Sequence, residues 1–204
     1  MHIEFLVEEP SAEAALNNIV PKIIGAAATF KIHPYQGKSD LLARLPARLA
    51  AYRRWIPADW RIVVLIDADA QDCHQLKAQL EKAACDAGFV TKSAALGARF
   101  EVLNRLAIEE LEAWFFGDVE ALCAAYPRMS RNLGDKARYR HPDAIRGGTW
   151  EALERELKRR GYFSGGLEKI TAARAISAEM EPKRNRSPSF GVFRDGILAM
   201  CEVK

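Results

Sequence analysis

Residues 61–73 read RIVVLIDADAQDC, an unbroken β-branched and leucine run followed by Asp67, Asp69 and Asp72. A run of this kind has the character of a strand buried on both faces, the environment of a parallel sheet covered by helices. Three carboxylates so close together repel one another unless something positive lies between them. Side chains two apart on extended backbone point the same way, so Asp67 and Asp69 can converge on one cation. Asp72 stands where the next helix begins and reads as its N-cap.

Outward from this strand, the pattern alternates. Residues 2–7 (HIEFLV) read as a strand, and residues 11–24 as a helix capped by Ser11 and distorted at Pro21. Residues 30–33 form a weaker strand, and residues 39–55 a helix interrupted or kinked near Pro46. Residues 72–87 follow as a helix, with Gly88 as its stop. The order β-α-β-α-β-α predicts an α/β fold, a doubly wound and mainly parallel sheet. Residues 89–94 are expected to begin a further strand, residues 101–108 fit the end of a strand, and IEELEAWFFGD fits a helix ending at Gly117. Beyond Pro127 the texture turns helical, at residues 149–160, 167–179 and 192–201, with GYFSGG and EPKRNRSPSF between the segments. The expected organisation is an α/β core over residues 1–120 and a basic helical C-terminal extension, residues 121–204, packed on it.

Hydrophobic content of 49% and charged content of 28% fit a soluble globular chain able to bury a sizeable core. No apolar run reaches the ~18–20 residues of a membrane span. MHIEFLVEEP lacks the cationic-then-apolar pattern of a secretion signal, so a cytoplasmic location is expected. The four cysteines are scattered without CxxC pairing, which argues against a structural zinc site or a disulfide framework. Charge is uneven: residues 1–125 hold 13 Lys and Arg against 17 Asp and Glu (net −4), and residues 126–204 hold 17 against 10 (net +7). An acidic front and a basic back suit a metal site joined to a phosphate-binding surface, though solvated helix faces give the same counts.

In an open parallel sheet every strand's carboxyl end reaches the same edge, where sites assemble from residues distant in sequence. Glu8 and Glu9 follow the first strand there, and Asp67 and Asp69 the third. Hard oxygen ligands of this number suit Mg²⁺ or Mn²⁺, with Glu8 completing the site as a ligand or a general acid/base. The matching chemistry is metal-assisted phosphodiester cleavage or phosphoryl transfer. Two rival motifs fail. The GKS of QGKSD would need its first P-loop glycine at Ile32. The Asp-x-Asp pair of haloacid-dehalogenase-like phosphatases follows the first strand, and here that strand ends in Glu8.

A glutamate after the first strand and Asp-x-Asp after a later one resembles the Toprim arrangement of topoisomerases, bacterial primases, recombination proteins and overcoming-lysogenization-defect nucleases. A narrower resemblance is to a Toprim-like bacterial group, domain of unknown function 4276. It is carried by FLVEEPSAEA, GKSDLLARL, VVLIDADAQDC, RLAIEELEAWFFGD and EKITAARAISAEMEPKRNRSPSF. The resemblance implies a Toprim-like fold with Glu8 as acid/base or ligand and Asp67 and Asp69 holding Mg²⁺. Glu110 and Glu112 match its E-L-E-A-W pattern. Two apart on a helix they diverge by ~200°, so Glu110 is taken for the site and Glu112 as a supporting or surface residue. Lys38 and Lys169 match basic positions of the group and are expected on that ground to meet phosphates, although surface lysines are the commoner case. Members often lie beside an ATPase gene, which implies a partner ATPase and an anti-phage setting. The chain departs from the group where Gly usually follows the first Glu and an acid usually follows the Ser/Thr: here stand Glu9 and Ala12, with Glu13 one step on.

The leading expectation is a Mg²⁺-dependent Toprim-like nuclease acting on DNA or RNA under an ATPase partner, with Lys183, Arg184 and Arg186 as nucleic-acid contacts. The alternatives are a non-catalytic subunit that regulates the ATPase and a small-molecule phosphotransferase. Trp114, Phe115 and Phe116 are consecutive, and one helix face cannot bury all three. Some are therefore expected to meet the extension and some a second subunit, as in a homodimer.

Overall fold

Four strands lie side by side in the computed structural model, which describes residues 1–202. They are β1 (His2–Val7), β2 (Thr29–Pro34), β3 (Trp60–Asp67) and β4 (Val102–Ala107), all parallel, in the order β2-β1-β3-β4. Eight helices connect and cover them: α1 (Pro10–Ile24), α2 (Lys38–Trp55), α3 (Cys73–Asp86), α4 (Glu112–Gly117), α5 (Val119–Ala125), α6 (Thr149–Lys158), α7 (Lys169–Glu179) and α8 (Pro188–Glu202). Two 3₁₀ turns occur at Leu133–Asp135 and Pro142–Ala144. This is a doubly wound α/β core with a helical C-terminal segment.

Period-two alternation sorts the strand residues into two cores. Ile3, Phe5, Val7, Val63, Leu65 and Leu103 join α1 and the C-terminal helices on one face. Leu6, Ile62, Val64 and Ile66 join α2 and α3 on the other. β3 is central and buried on both sides, as its unbroken apolar run requires. Strand order reverses between β1 and β3, the place where open parallel sheets gather their sites beyond the carboxyl ends of the strands.

Several local expectations shift. The first helix begins at Pro10, with Glu9 at the N-cap in extended conformation, so Ser11 lies inside the helix and its hydroxyl donates to the Glu9 carboxylate. Proline's fixed φ suits the first helical position, which decided the start. α2 runs uninterrupted through Pro46. Residues 89–94 do not form a strand: Thr91 alone bridges Val102, and the chain then turns back, with Ala94 and Ala95 N–H donating to Thr91 O. Residues 102–107 are the fourth strand.

The extension shares the core rather than standing apart. α7 packs on α1, tied by Asn18 Nδ2 to Ser177 Oγ at 2.9 Å and Lys22 Nζ to Met180 O at 2.8 Å. α8 lies on β4, where a side chain at Gly196 would meet Leu103 at 2.9 Å. Trp114, Phe115 and Phe116 are all buried within the chain, contrary to the expectation that some would serve a second subunit. Trp114 packs against Phe190 and Phe193 and donates to Ser189 Oγ at 2.9 Å, while Phe116 stacks on Tyr139. A short helix held between sheet and extension has no solvent face, so the amphipathic argument does not apply. Among the described residues, no helix is long and apolar enough to cross a membrane.

Candidate metal centre at the sheet edge

Glu8 and Asp67 meet at the carboxyl ends of β1 and β3. Asp67 N–H donates to Glu8 Oε2 at 3.2 Å, so the two carboxylate-bearing strand ends are joined directly. Beyond Asp67 the backbone is pinned to the end of β4, with Ala68 N–H donating to Ala107 O at 2.8 Å and Asp69 N–H to Glu109 O at 2.6 Å. Asp69 has φ 49° and Glu109 φ 60°, left-handed positions that Asp tolerates better than most residues. The Asp69 carboxylate is paired with Lys38, whose ammonium also donates to Ala68 O at 3.3 Å. Lys38 opens α2 after Gly37, which takes φ 99° and anchors its N–H on Glu8 O at 2.9 Å.

Two further groups complete the edge. Glu112 is the first residue of α4, and only 3% of it is exposed. Lys169 is the first residue of α7, lying 5.1 Å over the Trp150 ring and 3.9 Å from Glu9 Oε1. Acids outnumber these two ammonium groups, and the carboxyls carry the consequence. Burial raises Asp67 well above the usual carboxylate range, and the charges of Glu112, Glu8, Glu9 and Asp69 raise it further. Burial brings Glu112 to about 7, partly offset by Lys169. Burial also raises Glu8 against the Asp67 N–H and Lys38, and it raises Glu109, with Glu110 and Asp69 adding to the effect. Lys169 responds in the opposite sense: burial lowers its affinity for the proton, but Glu112, Glu9, Glu110 and Asp67 together raise it.

Of the residues expected at the site, Glu8, Asp67, Asp69, Lys38 and Lys169 gather at this edge. Glu110 stands close by but is committed elsewhere. Its Oε2 accepts from Thr149 N–H and Thr149 Oγ1 at 2.8 Å and from Trp150 N–H at 2.9 Å. It thereby caps α6 from a distance, because the N-cap residue, Gly148, has no side chain to do so. Glu112 instead acts on Asp67, whose carboxyl its charge raises. The helical-wheel comparison of the two does not hold, since α4 starts only at Glu112 and Glu110 precedes it. Asp72 caps α3 as expected, accepting from His74 N–H at 2.8 Å and Gln75 N–H at 3.3 Å.

The basic stretch divides. Arg184 is a structural anchor, with Nε at 2.7 Å and Nη2 at 3.0 Å from the buried Asp118 carboxylate and Nη1 at 3.2 Å from Glu120. Burial of Asp118 demands such a partner, so this guanidinium does not face solvent as a free phosphate contact. Lys183 and Arg186 are exposed.

Among the described residues, no three His, Cys, Asp or Glu side chains already converge as a set that could hold a metal ion. The donors at the β1/β3 edge nevertheless fit a hard divalent cation in kind: all are carboxylate oxygens, and their mutual repulsion is only partly neutralised. Asp69, the third of these acids, is ion-paired with Lys38. Residues 7–198 match the family model described as Domain of unknown function (DUF4276). No curated protein and no solved structure matches the chain.

Proposed function

The chain belongs to the DUF4276 family, and on that premise we propose that it is a Toprim-like nuclease that cleaves phosphodiester bonds of DNA or RNA with Mg²⁺ or Mn²⁺. The observation that carries this reading is the Glu8–Asp67 contact at the strand-order reversal, with Asp69, Glu112 and two lysines around it. Glu8, Asp67 and Asp69 would hold the ion, which supplies Lewis-acid stabilisation of charge on the phosphate. If Asp67 and Asp69 alone hold the ion, Glu8, raised by burial, instead suits proton transfer nearer neutral pH than an ordinary carboxylate. Lys169 lies where it offsets negative charge at the Glu9 and Glu112 side. Exposed Lys183 and Arg186 supply nucleic-acid charge contacts. The partner ATPase and the anti-phage setting rest on the sequence resemblance alone.

Incubation of the protein with supercoiled plasmid and with single-stranded RNA, each with Mn²⁺ and with EDTA, tests the reading. Cleavage of at least one substrate that needs Mn²⁺ and disappears in folded Asp69→Ala protein is the expected result. Cleavage that persists in the variant moves the chemistry elsewhere. Commitment of Arg184 to Asp118 favours one second reading, a small-molecule phosphotransferase with little need for a basic surface. Divalent-ion binding without any nucleic-acid binding is its signature.

A further inference from the structure

The Lys38 ammonium pairs with Asp69 and also donates to Ala68 O. We propose that its ammonium group is a tethered placeholder for the divalent ion: it neutralises the Asp69 carboxylate until the ion binds and is displaced when it does. This rests on the metal-centre reading and adds to it a residue that competes with the ion.

The argument is one of which parts can move. The Asp69 backbone is fixed by its N–H bond to Glu109 O at 2.6 Å and by the preceding bond from Ala68 N–H to Ala107 O at 2.8 Å. Lys38 is equally fixed at its root, because Gly37 N–H is bound to Glu8 O at 2.9 Å and α2 begins immediately after. A side chain at Gly37 meets no neighbour, yet its φ of 99° disfavours any residue but glycine. Only the two side chains therefore have freedom to exchange partners. The Lys38 side chain is 12% exposed and has two oxygen partners, Asp69 and Ala68 O. An ammonium group held by one carboxylate and one carbonyl uses the kinds of oxygen donor that a hard cation uses. Rotation of the Asp69 carboxylate towards Glu8 and Asp67 completes a three-carboxylate set and leaves Lys38 without its counter-ion. The freed ammonium then stands at the rim of the site, where a phosphate oxygen can replace Asp69. Metal binding and anion binding are in this way coupled through one lysine.

Isothermal titration of Mn²⁺ into wild type, Lys38→Met and Lys169→Met tests the proposal. Lys38→Met is expected to bind Mn²⁺ about tenfold more tightly than wild type, a change of about 1.4 kcal/mol. Lys169, which is 3.9 Å from Glu9 and not paired with Asp69, acts only through the general field, so its removal is expected to tighten binding about twofold. Equal tightening in the two variants overturns direct competition. Unchanged or weaker binding in Lys38→Met, with wild type binding normally, overturns the placeholder role and leaves the metal centre standing. Absence of Mn²⁺ binding in all three proteins overturns both.

Discussion

Two glutamates four residues apart on one strand and its exit meet opposite fates. Glu4, inside β1, is 4% exposed and surrounded by donors: Tyr52 OH at 2.6 Å, His33 Nε2 at 2.5 Å and His2 Nε2 at 3.0 Å. Burial alone would raise its carboxyl, but these hydrogen bonds more than offset that and hold it below the usual value. Glu8, just past the end of the strand, accepts from Asp67 N–H and is raised. Asp67 and Glu112 are raised with it. Burial is common to both regions, and the supply of donors separates them. A carboxylate with enough donors is a structural element; a group of carboxylates short of donors keeps unrelieved repulsion that a cation can remove. That second condition marks a candidate functional edge.

The comparison can be broken at either end. The largest effect is expected at the donor-poor edge: Asp67→Ala should lower Mn²⁺-dependent cleavage by about a thousandfold, read from initial rates, without loss of folding. Retained activity would remove the distinction between the regions. At the donor-rich end, Glu4→Ala leaves Tyr52 and two histidines without their partner and should cost about 3 kcal/mol in urea unfolding at pH 7. Its metal-dependent rate should stay within about twofold of wild type. The stabilising contribution of Glu4, a group held below its unfolded value, should be lost as pH falls through its folded value.

Glu112→Gln should act in the opposite direction. The folded carboxyl binds its proton up to about 7 and the unfolded one only to its ordinary value of 4.5, so this group's contribution falls as pH rises between those values. The variant should therefore match wild type below that window and exceed it by about 2 kcal/mol at pH 8, with the full shift setting a ceiling near ~3 kcal/mol. A constant difference across pH would mean that Glu112 is not held protonated. The basic stretch should split, with the smallest effect of all at Arg186. Arg186→Ala should change stability by less than about 0.5 kcal/mol. Arg184→Ala should cost about 2 kcal/mol, because it strands buried Asp118.

Much of the edge was legible in residues 61–73, since a two-sided apolar strand forces its terminal acids to the shared carboxyl edge of the sheet. Asp72 as a cap was equally legible from its place before a helix. Glu112 was read only as a supporting or surface residue because the helix containing it starts one turn later than its pattern suggests, and φ 60° at Glu109 breaks the run beforehand. The role of Glu110 depends on Gly148, 38 positions on, a pairing that no local pattern discloses. Pro10 did carry the signal for the start of α1, and it outweighed the capping preference read from Ser11. Arg184 shows the limit of charge counts: its partner Asp118 is buried by tertiary packing that composition does not report.

The central claim is that the donor-poor carboxylates at the β1/β3 edge form a divalent-cation site. A Mn²⁺ titration followed by electron paramagnetic resonance, on wild type and on Asp67→Asn protein of unreduced melting temperature, tests it most directly. The account predicts a wild-type site whose affinity falls at least about tenfold in the variant. Equal affinity in both proteins, or no binding in either, would contradict it.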